Sequence, residues 1–383
     1  MPSVLLWVKP EYPLPGTAGQ DRRGRNRNRT AKGRDVGGRI WRTIIVRTIV
    51  RVMIGVGCTL LLCGGVTMGG IVAVDMRTTV TLGTATPGGG FPVYGGAIAE
   101  TINATDPELL VQPQNTRGSA ENVPLLEKGR LDIALVQGES AHEALNGIGR
   151  PRADLRILWA MYSSPGMFIA RGDAPYRTIE DLKGKPVVFG AKGSGLGILA
   201  RYVLDGLGLD RDRDFQAIFF EHAGDGPPLV LDGRAAALWG GSIGWPPYLA
   251  VANGPHGGRF IVPDASGIQR VLEKHPFLKV VQVPAKAFPG QDAPLTTVGS
   301  WSFIMTRPTL PEDTAYRLAR ALHQGEAALG ARLAQAREST AANTVGAVPN
   351  TALLHPGVQK YLRETGLLRW HQAFPVRAAT GSV

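Results

Sequence analysis

Four groups of residues in this 383-residue chain are spaced in ways that chemistry uses. Gly240-x-Ser242-x-Gly244 has the spacing of a nucleophile elbow, and Asp264 and His275 follow it in an order that a hydrolase triad permits. An elbow needs a helix directly after its serine, and Trp245-Pro246-Pro247 obstructs one. Gly195-x-Gly197-x-x-Ala200, with Glu221 downstream, fits a loose dinucleotide fingerprint, but its glycines fall inside or past a helix start rather than in the turn. His142, Glu221-His222, His256 and His275 are possible metal ligands, yet none shows the spacing of a metal site. No cofactor or metal is expected, and the enzyme readings rank below a binding one.

The fourth group consists of glycine-rich turns. In Val80-Thr-Leu-Gly-Thr-Ala-Thr-Pro-Gly-Gly-Gly-Phe-Pro-Val-Tyr94, a β-branched run at Thr79–Leu82 leads through Gly88, Gly89 and Gly90 into a helical pattern. That pattern is carried by Ile98, Ala99 and Ile102, and Pro92 suits its first turn. Lys192-Gly-Ser-Gly-Leu-Gly197 repeats the device about 110 residues later, where a predicted strand ending near Gly190 meets a helix over Ile198–Gly206 with Ser194 as its cap. A strand feeding a glycine-rich helix start presents free N–H groups and the positive helix end to one point, which suits a carboxylate or phosphate. Two such devices can face one anionic ligand from opposite sides.

The elements that must position these turns alternate in the α/β manner. Leu109–Gln112 reads as a strand, and Ser119 caps a helix that Gly129 ends. Leu131–Gln137 is a strand with Gln137 at its carboxyl end, where ligand-facing polar groups collect in open α/β sheets. Strands are also predicted at Leu155–Met161, Met167–Ala170, Phe215–Phe220, Ala235–Trp239, Arg259–Val262 and Leu278–Val283. Thr297–Thr306 is apolar and long enough to cross between lobes, and helical periodicity dominates Pro311–Arg337 and Val358–Leu367.

The net charge of +11 sits mostly at one end: residues 1–51 hold twelve Lys and Arg against three acids. The rest is nearly neutral, so no nucleic-acid face is implied. The basic extension 1–51, rich in Arg, Asn, Gly and Pro, reads as disordered. The uncharged run Val52–Val74 behind it, within a targeting element over 52–75, has the pattern of a signal peptide or of an uncleaved anchor with its positive flank in the cytoplasm. The only cysteines, Cys58 and Cys63, lie in that run without the usual lipid-attachment context, so the body has no disulfide or thiol chemistry.

In order and spacing the body from Thr79 to Leu368 resembles a known family. The matching pieces are Leu82-Gly-Thr-Ala-Thr-Pro-Gly-Gly-Gly90 with Tyr94-Gly-Gly, Gly118-Ser-Ala-Glu-Asn122, and Leu125-Leu-Glu-Lys-Gly-Arg-Leu-Asp132 followed by Ala134-Leu-Val-Gln137. Asp181-Leu-Lys-Gly-Lys185, Gly193-Ser-Gly195 and His355-Pro-Gly357 with Tyr361 and Glu364 complete the set. These resemble the TAXI solute receptors, the extracytoplasmic binding proteins of one branch of the tripartite ATP-independent periplasmic (TRAP) transporters.

The resemblance implies a two-lobed α/β periplasmic-binding fold of the type II kind, with mixed sheets flanked by helices and a ligand cleft between the lobes. Lobe one would hold 78–167 plus 298–383 and lobe two 168–297. The protein would be an exported monomer in the periplasm, held to the membrane through 52–74 if that run is uncleaved. It would pass an organic acid or amino acid to the membrane subunits of a sodium-driven permease.

Carried over by motif, the solute would meet Thr84, Gly89, Gly90 and Tyr94 from the first loop, then Ser119, Asn122, Gln137 and Tyr162. Lobe two would add Ser194, Gly195, Gly240 and Gly241. Arg117 stands where the family more often has a small residue; it reads either as a partner for a ligand carboxylate or, more readily, as a solvated surface arginine. Phe91 in place of a common tyrosine, Tyr162-Ser163-Ser164 in place of a Tyr-Pro-Glu form, and Trp245 are further departures that reshape the pocket walls. Two alternatives remain open: a ligand sensor docking on a membrane signalling protein, and a serine hydrolase using Ser242.

Overall fold

The computed structural model describes residues 77–369; the basic extension and the apolar run 52–74 lie outside them. Among the described residues no helix is long and apolar enough to cross a membrane.

The first half begins with β1 (Thr78–Gly83), α1 (Gly90–Thr105), β2 (Leu109–Gln114), α2 (Ser119–Glu127), β3 (Ile133–Val136), α3 (Gly138–Asn146) and β4 (Arg156–Pro165). There follow β5 (Met167–Arg171), β6 (Pro186–Ala191), α4 (Leu196–Gly206), α5 (Arg211–Asp214), β7 (Gln216–Phe220), α6 (Pro227–Leu231), β8 (Ala237–Gly240), α7 (Pro246–Ala252), β9 (Gly258–Ile261), α8 (Ala265–Lys274) and β10 (Lys279–Val283). The last part is β11 (Leu295–Thr306), α9 (Glu312–Gln324), α10 (Glu326–Arg332), α11 (Ala341–Ala347) and α12 (Pro356–Glu364).

The strands form two mixed sheets built to one plan. In the first, β2, β1 and β3 run parallel and β11 lies antiparallel beside β3, with β4 on the other side of β11. In the second, β7, β6 and β8 run parallel and β5 lies antiparallel beside β8, with β9 beyond it. Within the parallel trios the inner strands β3 and β6 are buried on both faces, which is why Ile133–Val136 and Val187–Phe189 read as continuous apolar runs rather than alternating ones. The chain enters the second sheet on its antiparallel member β5 and returns to the first on β10, which leads into the antiparallel β11.

Two hydrophobic cores follow. One gathers buried residues from Val80 to Tyr162 and from Phe303 to Leu368, the other those from Met167 to Val298. Each fully buried Leu, Ile or Phe contributes about 2 kcal/mol, so both cores are substantial. The chain crosses between them on β4 and β11, which pair along almost their whole length from Arg156↔Thr306 to Pro165↔Gly299. At the crossing Gly166 N–H donates to Val298 O at 2.9 Å, and Thr297 Oγ1 donates to Gly166 O at 2.7 Å. β10 hydrogen-bonds to β11 in the first sheet while Val283 packs in the second core, so it also straddles the junction.

Several local expectations need correction. The helix after the triple glycine starts at Gly90, which puts Pro92 in its first turn as expected, but the other local details differ. Ser119 is not a cap: Gly118, at φ 105°, holds that position, and Ser119 Oγ accepts instead from Gln137 N–H at 3.0 Å. Gly195 rather than Ser194 occupies the cap of α4, although Ser194 Oγ still accepts from Leu196 N–H at 3.3 Å. A short helix does follow Ser242, since Pro246 and Pro247 take first-turn positions where a missing N–H costs nothing.

Candidate functional site

The carboxyl ends of parallel strands from both sheets point at one place. The loops after β1 and β3 bring Thr86, Gly89, Gly90, Phe91 and Gln137, and those after β6 and β8 bring Ser194, Gly195, Gly241, Ser242 and Trp245. Tyr162 and Ser164 reach the same point from β4. Together they enclose a cavity of about 50 Å³. Crevices at such strand ends are where open α/β sheets take ligands.

Glycines let the two halves come this close. Gly88 has φ +80°, and a Cβ there would lie 2.8 Å from Gly224 N across the cleft. Gly193, at φ +82°, lies against Arg117, and its carbonyl accepts from Ala120 N–H at 3.1 Å. A Cβ on Gly195 would sit 2.6 Å from Gln137 Cβ. Farther out, Glu143 of α3 pairs with Arg201 of α4 and accepts from Tyr202 Oη at 3.0 Å, and the His142 ring stacks on Phe277 at 3.9 Å. The halves are therefore in contact around the cavity.

Of the residues predicted to meet a ligand, Gly89, Gly90, Arg117, Ser119, Gln137, Tyr162, Ser194, Gly195 and Gly241 line the cavity. Thr84, Tyr94, Asn122 and Gly240 do not; they support it from behind. Thr84 Oγ1 donates to Gln114 O at 3.0 Å, and Asn122 Nδ2 donates to Thr84 O and Leu135 O at 2.8 Å each, tying the end of β1 to β3. Tyr94 Oη bonds Ser339 Oγ at 2.6 Å, and its ring holds Tyr162 edge-on at 5.1 Å. Gly240 leaves room for the Trp245 ring, since a Cβ there would fall 2.0 Å from Trp245 Cζ3. Ser242 was singled out as a nucleophile, and Phe91, Ser164 and Trp245 as departures; all four prove to line the cavity, as do Thr86 and Leu196, which carried no sequence signal beyond their neighbours.

The polar groups inside are unevenly satisfied. Ser164 Oγ bonds Ser302 Oγ at 3.1 Å and Ser119 Oγ is taken by Gln137 N–H. Gln137 Nε2 is buried without a hydrogen-bond partner. Burial pushes the Tyr162 hydroxyl far above the usual phenol range, so it stays protonated and able to donate. Arg117 keeps its side chain largely exposed at the rim, 3.6 Å from Glu121, and Lys192 pairs with Glu221 at 3.0 Å on the surface beside it.

The hydrolase triad is not assembled. His275 Nε2 lies 2.7 Å from Asp205 Oδ2, and Asp264 accepts from Gly267 N–H at the start of α8. Among the described residues no three His, Cys, Asp or Glu are grouped to hold a metal; His142 is stacked on Phe277 and His256 sits 3.1 Å from Asp173. The turn at Lys192–Gly197 opens onto the cavity through Ser194 and Gly195 and shows no separate nucleotide site.

A family model described as the NMT1-like family matches residues 82–366. Among solved structures, the chain is similar to MatC from Rhodopseudomonas palustris with bound malate, at 14% identity, covering 76% of this chain and 99% of that one with a TM-score of 0.49. A protein from Bordetella bronchiseptica RB50 gives the same four values. A TctC solute binding protein from Polaromonas is 18% identical over 68% of this chain and 89% of its own, with a TM-score of 0.40. What those proteins bind is a property of each of them alone.

Proposed function

This chain belongs to the NMT1-like family, and on that premise we propose that it is a solute-binding receptor of the transporter type. It captures a small carboxylate-bearing solute, an organic acid or an amino acid, between lobe one (78–167 plus 298–383) and lobe two (168–297), and does no chemistry on it. Open and closed forms exchange, and the solute's preference for the form in which both lobes touch it shifts the population. The receptor works in the periplasm as a monomer and delivers its solute to a TRAP permease, as the TAXI resemblance implies.

One observation carries the reading. A small, partly open cavity is walled by strand ends from both sheets, and the buried Tyr162 and Ser242 hydroxyls that line it have no hydrogen-bond partner among the described residues. Buried polar groups are nearly always paired, so an unpaired one lining a cavity suits a ligand's acceptor.

The test is calorimetric titration with carboxylates and amino acids, run beside thermal unfolding. A solute that binds only the folded form adds about 2.7 kcal/mol at one hundred times its Kd. Gly89→Phe and Ser194→Phe should each weaken binding at least tenfold while the unliganded melting temperature is kept. Unchanged affinity in both variants excludes this cavity as the site.

A further inference from the structure

The cavity has no group able to neutralise a cation. None of its lining residues is Asp or Glu, and its one charged residue, Arg117, stays at the rim with a side chain 71% exposed. The interior holds donors instead. Tyr162 Oη and Ser242 Oγ make no hydrogen bond among the described residues, though the two residues are only 2% and 1% exposed. A Cβ added at Gly90 would lie 3.7 Å from each of those oxygens, so both hydroxyls flank one point at the start of α1.

The three helix starts at the cavity differ. In α2, Ala120 N–H donates to Gly193 O, and Glu121 and Asn122 N–H donate to Gly118 O. In α4, Leu196 N–H donates to Ser194 Oγ, Gly197 to Ser194 O, and Ile198 and Leu199 to Gly195 O. In each of these two starts a single N–H, that of Ser119 and that of Gly195, is left without an acceptor among the described residues. In α1 the N–H groups of Gly90 and Phe91 precede any intrahelical acceptor and find none in the loop, where only Gly89 N–H is used, on Thr86 O. The best-equipped anion position is therefore the α1 start, with two free N–H groups and the Tyr162 and Ser242 hydroxyls beside it.

Resting on the receptor reading above, we propose that the site selects a compact monocarboxylate whose remainder carries no charge, with Ser242 and Tyr162 donating to its carboxylate. The neutral Gln137 amide, which lines the cavity, suits a keto or hydroxyl oxygen on that remainder, and Phe91, Leu196 and Trp245 supply apolar walls. An ammonium would enter with positive helix ends facing it and no acidic lining residue, and a second carboxylate would find only the single N–H groups of Ser119 and Gly195, with no free hydroxyl pair beside them. The volume, about 50 Å³ at roughly 10–15 Å³ per water-sized group, holds only a few heavy atoms.

The experiment titrates the full chain, followed by tryptophan fluorescence and by melting temperature, with pyruvate, lactate and butyrate against alanine, 2-aminobutyrate, succinate and malate. The expected result is that a monocarboxylate binds at least tenfold tighter than its amino-acid and dicarboxylate counterparts. Ser242→Ala and Tyr162→Phe should each cost about tenfold of that affinity without lowering the unliganded melting temperature. Alanine or succinate binding as tightly as the monocarboxylates, or monocarboxylate affinity unmoved in both variants, overturns the assignment and leaves the receptor reading in place. Binding confined to a solute of another class also overturns this inference alone. A folded protein that binds no small solute of any class overturns the receptor reading with it.

Discussion

Glu139 places a carboxyl where a charge is costly. It is fully buried at the start of α3, Ser300 Oγ donates to it at 2.6 Å, and burial pushes its pKa up to about 7. The folded state thus prefers it protonated, so its contribution is complete below the unfolded carboxyl range and is lost as pH rises through about 7. Between pH 5 and pH 8 the protein should lose on the order of 2–3 kcal/mol through this group, and Glu139→Gln should flatten that slope in melting-temperature scans. A slope unchanged in the variant would place the titrating group elsewhere. The same residue-scale view shows why site residues were only partly legible. Sequence identifies Thr84, Tyr94 and Asn122 as polar groups near a glycine turn, but which way each side chain points depends on partners 13 to 245 residues away, Gln114, Leu135 and Ser339 among them. Ser242 shows the reverse: its spacing was legible, while its role depended on a histidine and an aspartate that the fold engages elsewhere.

At the scale of elements, the strand-to-glycine-to-helix devices were readable because local chemistry decides them: Gly88 and Gly193 adopt positive φ where a side chain would be strained and would collide with the opposite lobe. The alternation of strands and helices was legible for the same local reason. Sheet order was not, since the antiparallel places of β5 and β11 are set by long-range pairing. Short helices such as α3, α6 and α11 escaped notice because few residues reveal their period. α3 has a consequence beyond packing. Its Glu143 reaches Arg201 and Tyr202 on α4, and these three side chains fasten the halves without lining the cavity. Arg201 is 55% exposed, which limits the pair to about 1 kcal/mol. Glu143→Gln should therefore weaken solute affinity by up to about fivefold and reduce its salt dependence, as read by titration at low and high ionic strength. An unchanged affinity would mean that the pair does not bias closure.

At the scale of the whole molecule, closure can be tested with one atom group. Gly195 has φ −61°, an ordinary helical value, so a side chain there strains no backbone, yet its Cβ would meet Gln137 across the cleft at 2.6 Å. Gly195→Val should wedge the halves apart: solution scattering should show a larger radius of gyration with solute present, and binding should fall at least tenfold, while the melting temperature of the unliganded protein changes little. A variant that still compacts on adding solute would show that closure does not require this approach. The interleaving of the two cores also governs how the chain comes into being. The second core draws on one continuous run, Met167 to Val298, whereas the first needs residues on both sides of it. On a ribosome, β1, β2 and β3 emerge early and must wait with β3 as an open edge, its four apolar residues uncovered, until β11 arrives to pair Phe303–Thr306 with Ile133–Val136. A nascent chain halted at residue 294 should thus show protected amides in β6 and β8 and fast exchange in β3. For much of its synthesis the half-built first sheet is the segment that needs a chaperone's cover.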